Sequence, residues 1–155
     1  MDLYFGIKLV HILSATVLFG TGLGIAFFMM NAYRSDDAQM MRKTSEIVVI
    51  ADWLFTTPAV VLQLVTGLWL TQRLGIPYDS IWFLAVVGWF ILVGICWLPV
   101  VWIQIRIRDL LRSGSTIDTC RPYMRTWIAL GIPAFLSVIV IFGLMVYKPW
   151  LHLTW

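Results

Sequence analysis

Two groups of residues have the types and spacing to do chemistry. The first is Lys8 and His11, one helical turn apart near the start of a long apolar segment. An ionisable side chain at mid-bilayer costs ~2.5–3.5 kcal/mol for Lys or Asp on insertion scales, so such groups persist where they pair, ligate or move protons. Imidazole is the commonest side-chain metal ligand and an axial ligand of haem iron. At 100° per residue, Lys8, His11, Ala15, Leu18 and Gly22 fall within an arc of about 80°. The second group is Asp52, Thr56, Ala59, Gln63, Thr66 and Gly67, which align within about 100° on an ideal helix. Such a polar stripe is expensive against lipid and is expected to face a bundle interior or a wet cavity. It reads either as interhelical glue, with Asp52 paired to an arginine such as Arg106 or Arg125, or as a proton or solute path beginning at Asp52.

The elements that must position these residues follow from composition. The chain has 155 residues, 61% hydrophobic and only 12% charged, against about 45–50% apolar and about 25% charged in a soluble domain. Four stretches reach the roughly 20 apolar residues a span needs: 3–33, 47–72, 81–105 and 127–147. They consume most of the chain, so the expected fold is all-α, a single four-transmembrane-helix domain over residues 1–155, wound up-down-up-down because the connections are short. The first segment starts Met-Asp, has no basic leader region and no small-residue cleavage site after it, and is expected to stay as a helix. Ser35-Asp36-Asp37 and Thr44-Ser45-Glu46 are helix-start signals within a polar linker. Gly75-Ile76-Pro77-Tyr78-Asp79 is a tight turn, and residues 112–121, with Ser-Gly-Ser, form a flexible connection.

Eight of the eleven Lys and Arg fall on one side: Arg34, Arg42, Lys43, Arg106, Arg108, Arg112, Arg121 and Arg125. The positive-inside rule then predicts both linkers in the cytoplasm and both termini in the periplasm of a bacterial inner membrane. The net charge of +3 reflects this sidedness and gives no argument for nucleic acid. Cys96 is mid-span and Cys120 in a linker, so no disulfide is expected between them. Of nine tryptophans, Trp53, Trp102 and Trp127 fall near the basic boundary, and Trp69, Trp82, Trp150 and Trp155 near the other, an aromatic belt. Trp89 and Trp97 are deep and read as packing or lipid contact. Thr16, Gly20 and Gly24 form a small-residue face that permits close helix approach. Pro99 and Pro133 are kinks that widen a bundle.

No paired-histidine or paired-cysteine spacing supports tetrahedral zinc. A haem needs one strong ligand and an apolar slot, which a bundle can provide. His11 is the candidate iron ligand, with Met145, His152 or a His11 from a second protomer as the second, and Lys8 suited to a propionate. The plain alternative is a His11 that snorkels or hydrogen-bonds to a neighbour.

Lys8-x-x-His11-Ile, the block Ala51-Asp-Trp-Leu-Phe-Thr-Thr-Pro-Ala-Val-Val-Leu-Gln63 and Thr66-Gly-Leu-Trp together resemble a bacterial family of small membrane proteins known as domain of unknown function 2269. That family is similar in fold to the CopD-type copper-resistance proteins and the HemJ-type protoporphyrinogen oxidases. The resemblance implies haem b bound through a first-span histidine, which maps to His11. The chain departs from both: its third span lacks the lysine of the oxidases, and it has one membrane histidine where the copper proteins have several.

Three functions are therefore expected to compete. The first is a haem b protein in electron transfer or porphyrin-linked redox chemistry, embedded in the lipid bilayer as a homo-oligomer or with a larger membrane complex. The second is a non-enzymatic accessory or assembly subunit. The third is a small transporter or metal-handling protein using the stripe from Asp52 to Gln63. No nucleotide-binding loop or hydrolase signature is present.

Overall fold

A computed structural model of the chain describes residues 3–147. Its elements are α1 (Leu3–Arg34), α2 (Ala38–Ala51), a π-helical turn (Asp52–Thr56), α3 (Thr57–Arg73), α4 (Ile81–Arg112) and α5 (Ile117–Tyr147). Because α2, the π turn and α3 run on without a break, the chain makes four long helices, each apolar and long enough to cross a membrane. No strand occurs among the described residues. The all-α, four-span architecture is as expected.

The helices overrun the expected spans at the arginine-rich end. A helix of 32 residues is about 48 Å long at 1.5 Å per residue, against a hydrocarbon core of about 30 Å. The polar linker expected from Ser35 to Glu46 is mostly helix: only residues 35–37 turn, with Asp36 at φ 54° and Asp37 capping α2 by accepting from the Gln39 and Met40 amides. Thr44-Ser45-Glu46 starts nothing. Ser45 is fully buried and bonds back to the Arg42 carbonyl. Likewise the connection expected over 112–121 shrinks to residues 113–116, where Gly114 at φ +84° makes the turn. The physical reason is amphipathicity. Met41, Val48, Ile117 and Cys120 bury one face of each extension while charges occupy the other, a pattern too short and too charged to read as a span. At the opposite end Gly75 (φ +65°) turns the chain and Ser80 caps α4 through the Phe83 amide.

Packing is uneven along the bundle. The core is one cluster at the arginine-rich half: Ile25, Met29 and Ala32 of α1, Met41 and Val48 of α2, Val100, Ile103, Ile107 and Leu111 of α4, and Cys120, Met124 and Trp127 of α5. Around its rim Glu46 accepts a hydrogen bond from Arg112 at 2.8 Å and forms an ion pair with Arg42 at 3.6 Å. In the other half the helices divide into two pairs, α1 with α3 and α4 with α5, and α1 meets α5 mainly where Phe19 stacks on Phe135 at 4.9 Å and touches Phe142 at 5.5 Å. The small-residue face expected to pull helices together does not do so within the chain, because a Cβ added at Gly20 or Gly24 would meet open space. Both cysteines are free thiols.

Truncating the core is expected to cost far more than truncating the lipid face. Met29→Ala and Ile107→Ala should each destabilise by about 2–5 kcal/mol, read as a lowered unfolding temperature in detergent. Leu64→Ala and Ile95→Ala, half or more exposed in the isolated chain, should shift it little. Equal losses in both sets would contradict this placement of the core.

Candidate functional site

The π turn decides where the polar stripe goes. Pro58 has no N–H, so the α-helical partner of the Leu54 carbonyl is missing. The Thr57 amide reaches five residues back, to the Asp52 carbonyl, and closes the wider ring. Such single π turns are frequent at functional positions. Here the turn buries Asp52 and Thr56 while leaving Trp53, Leu54 and Phe55 exposed. The stripe is thereby split into two clusters with different neighbours.

The first cluster surrounds His11, which is half-buried on α1. Its Nδ1 lies 2.7 Å from Thr66 Oγ1. The Thr66 hydroxyl spends its own hydrogen on the Leu62 carbonyl, so it can only accept from the ring. The network therefore assigns the proton to Nδ1 and leaves Nε2 with its lone pair free to ligate. Gln63 Nε2 donates to the His11 carbonyl at 2.5 Å and to Ser14 Oγ at 2.6 Å, and Ser14 Oγ donates to the same carbonyl at 3.0 Å. Gly67 permits the approach: a Cβ there would stand 3.3 Å from His11 Cε1. Gln63, Thr66 and Gly67 thus hold α3 against α1.

The second cluster surrounds Asp52. Its expected arginine partner is corrected by the structure, which leaves Arg106 and Arg125 exposed. Among the described residues, no Lys or Arg forms an ion pair with Asp52. Its carboxylate accepts instead from Gln104 of α4, whose amide, oriented to satisfy both neighbours, takes a hydrogen bond from Trp127 Nε1 of α5 at 3.2 Å. Gln104 is 1% exposed. The Thr56 hydroxyl and the Trp97 indole N–H stand beside the same carboxylate as further donors, both buried and short of close hydrogen-bond geometry.

Both residues also line a cavity, although neither polar atom is exposed to it. A cleft of about 340 Å³ runs between α1 and α5, with Asp52, Thr56, Trp97, Gln104 and Trp127 at its polar end and almost wholly apolar walls beyond. A smaller cavity of about 90 Å³ shares Thr56 and Trp97 with it and extends to Gln63. The cleft volume lies within the about 300–1,000 Å³ of small-molecule sites. Thr56 and Asp52 were legible as site residues. Trp97 and Gln104 were missed, and their signal was weak: one tryptophan among nine, and one glutamine in the long tail of an apolar helix.

The remaining site expectations fare differently. Lys8 is exposed and its Nζ sits 5.8 Å over the Tyr4 ring, away from the His11 network. Met145 lies on α5, whereas the polar partners of His11 lie on α1 and α3. His152, with Trp150 and Trp155, lies outside the described residues. Two members of the expected aromatic belt are internal instead. Trp82 is buried and donates to the Leu144 carbonyl at 2.7 Å, and Trp127 is buried beside Gln104. Trp53 and Trp102 remain outward. No group of three or more His, Cys, Asp or Glu that could hold a metal occurs among the described residues.

The fold and its buried polar clusters define a polytopic helical membrane protein with four spans. The chain belongs to the family described as predicted integral membrane protein, DUF2269, which matches residues 5–149. No curated protein and no solved structure matches it.

Removing the hydroxyl in Thr66→Val is expected to weaken the α1–α3 pairing by about 0.6–1.7 kcal/mol, the range of interhelical hydrogen bonds in membranes. In ¹⁵N spectra of the ring, the wild-type His11 should show a protonated Nδ1 and a free Nε2, and the variant should lose that bias. An unchanged tautomer would show that Thr66 does not set it.

Proposed function

We propose that the protein binds a lipid-soluble small molecule in the cleft between α1 and α5, holding its polar end against Asp52. The observation that carries this reading is an apolar cleft of about 340 Å³ between α1 and α5, whose few polar lining residues gather at the Asp52 end. The mouth is bordered by Leu23, Ile132 and Leu136, which both line the cleft and are more than half exposed. In a bilayer these residues touch acyl chains, so the occupant enters sideways from the lipid. The basic end, with eight Lys and Arg, is assigned to the cytoplasm by the positive-inside rule. That orientation puts His11 toward the periplasmic side of a bacterial inner membrane.

Gly131 offers a clean test, because a side chain there meets open space while pointing at the cleft. Wild-type protein extracted in mild detergent should carry a bound lipid-soluble molecule in native mass spectra, and Gly131→Leu should be empty with its unfolding temperature retained. Equal loading of the two proteins would overturn the reading.

A second reading is favoured by the His11 tautomer. A free Nε2, with Nδ1 held by Thr66, is how metal-binding histidines are oriented by their neighbours, and it suits haem b in electron transfer or porphyrin-linked redox chemistry. When bound, the haem would supply a one-electron couple. The residues fit one axial bond, but His11 lines neither cavity, so a slot for the macrocycle requires a second copy of the chain or another subunit. Protein expressed with ample haem should show a Soret band that His11→Ala abolishes while the fold is kept. Colourless protein under those conditions would remove this reading.

A further inference from the structure

The charges at the basic end of the bundle are neutralised unevenly, and part of the imbalance falls beside the mouth of the cleft. Glu46 takes Arg42 and Arg112, Asp109 takes Arg108, and Asp118 takes Arg121. Arg34, Lys43, Arg106 and Arg125 are exposed and have no carboxylate partner among the described residues. Two of them stand on the helix faces that border the mouth. On an ideal helix Arg34 falls within about 40° of Leu23 and Met30 on α1, and Arg125 within about 40° of Ile132 and Leu136 on α5. Lys43 is on α2, and Arg106 is one turn from the outward Trp102 on α4. Of the acids nearest in the chain, Asp37 caps α2 and Asp118 holds Arg121 at 2.6 Å. Asp36 forms no ion pair among the described residues.

Two unneutralised guanidinium groups at the end of an exposed apolar seam are complemented by a molecule with an anionic head and an acyl tail. Arginine suits phosphate oxygens because its planar fork gives two parallel N–H···O bonds. A soluble anion would meet the arginines but leave Leu23, Ile132 and Leu136 uncovered. A zwitterionic lipid would cover those residues but bring a cation to the arginines. We infer that Arg34 and Arg125 hold the phosphodiester of an anionic phospholipid, one acyl chain of which lies along Leu23, Ile132 and Leu136 across the mouth. Arg34 ends α1. Arg125 stands about 12 Å inward from the start of α5 at 1.5 Å per residue, and its long stem lets the guanidinium snorkel to the head groups. This site lies outside the cleft, goes beyond the binding reading above and does not require the cleft to be filled.

The test is native mass spectrometry of the full-length protein in detergent, incubated with phosphatidylglycerol, with phosphatidylcholine of the same acyl chains, or with inorganic phosphate. Each added lipid is recognised by its own mass and so is counted apart from any occupant of the cleft. Phosphatidylglycerol is expected to be retained over phosphatidylcholine. Arg34→Gln combined with Arg125→Gln should cut that retention about thirtyfold, from about fivefold per basic side chain near the head groups. Lys43→Gln combined with Arg106→Gln removes the same charge from other faces and should cost little. A phosphatidylglycerol carrying a diazirine in one acyl chain should crosslink to Leu23, Ile132 and Leu136 above Leu64 and Ile95. Equal retention of the two lipids, equal losses in the two double variants, or inorganic phosphate bound as well as the lipid would each overturn the site. Gly131→Leu fills the cleft and should leave lipid retention unchanged. If that variant loses the phospholipid, the lipid is the cleft's own occupant, and the separate site falls while the binding reading stands.

Discussion

A carboxyl group inside a membrane helix has to find its hydrogen bonds within the protein, and much of this structure is arranged around that demand at Asp52. Water is absent from the hydrocarbon, and an unsatisfied polar group there costs several kcal/mol. The relay Trp127 to Gln104 to Asp52 meets it, and in doing so it ties α5 and α4 to the helix that carries α2 and α3. The same three helices and α1 then close the apolar cluster of Met29, Ile107 and Met124 on the arginine-rich side. The polar relay fixes which faces meet, and the apolar cluster supplies most of the contact.

Beyond that relay the bundle loosens for a reason that belongs to membranes. Lipid tails are as apolar as leucine, so helices gain nothing by hiding apolar faces from them. Association rests on close packing and hydrogen bonds. In the half that carries His11, α1 and α3 are joined by four polar side chains and the close approach at Gly67. There α4 and α5 are joined by the bond from Trp82 to the Leu144 carbonyl. Between the two pairs stand chiefly the Phe19 contacts with Phe135 and Phe142. Glycines at 22 and 131 keep the seam hollow, since neither has a neighbour within reach of a Cβ. The cleft is thus the expected shape of two well-joined helix pairs that share only one end.

The spans, the turn at Gly75 and the cap at Asp37 were legible because apolar length and turn chemistry are local. Helix extensions such as Ala38–Ala51 were not, since their charged outer faces make the average polarity look like a linker while Met41 and Val48 bury the inner one. Tryptophan placement misled in a related way. Depth alone puts Trp82 and Trp127 at the interfaces, but the helix face they occupy turns them inward, and face is settled by packing. The stripe from Asp52 to Gly67 was correctly read as interior. An ideal helical wheel could not show that Pro58 forces a π turn, which sends Asp52 and Thr56 to α4 and α5 and Gln63 and Thr66 to α1.

That division also separates the part of the stripe that holds α1 to α3 from the part that lines the cleft. Around His11 the donors of Ser14, Gln63, Thr66 and the ring Nδ1 all have named acceptors, the condition expected of interhelical glue, and the one group left over is a lone pair at Nε2. Around Asp52 the geometry is looser: the Thr56 and Trp97 donors are buried beside the carboxyl group without a close hydrogen bond. The Thr56 hydroxyl and Trp97 N–H serve the Asp52 carboxyl group, and the apolar cleft opens beside them. Saturation of hydrogen-bonding capacity, more than polarity itself, therefore distinguishes the two ends of the stripe.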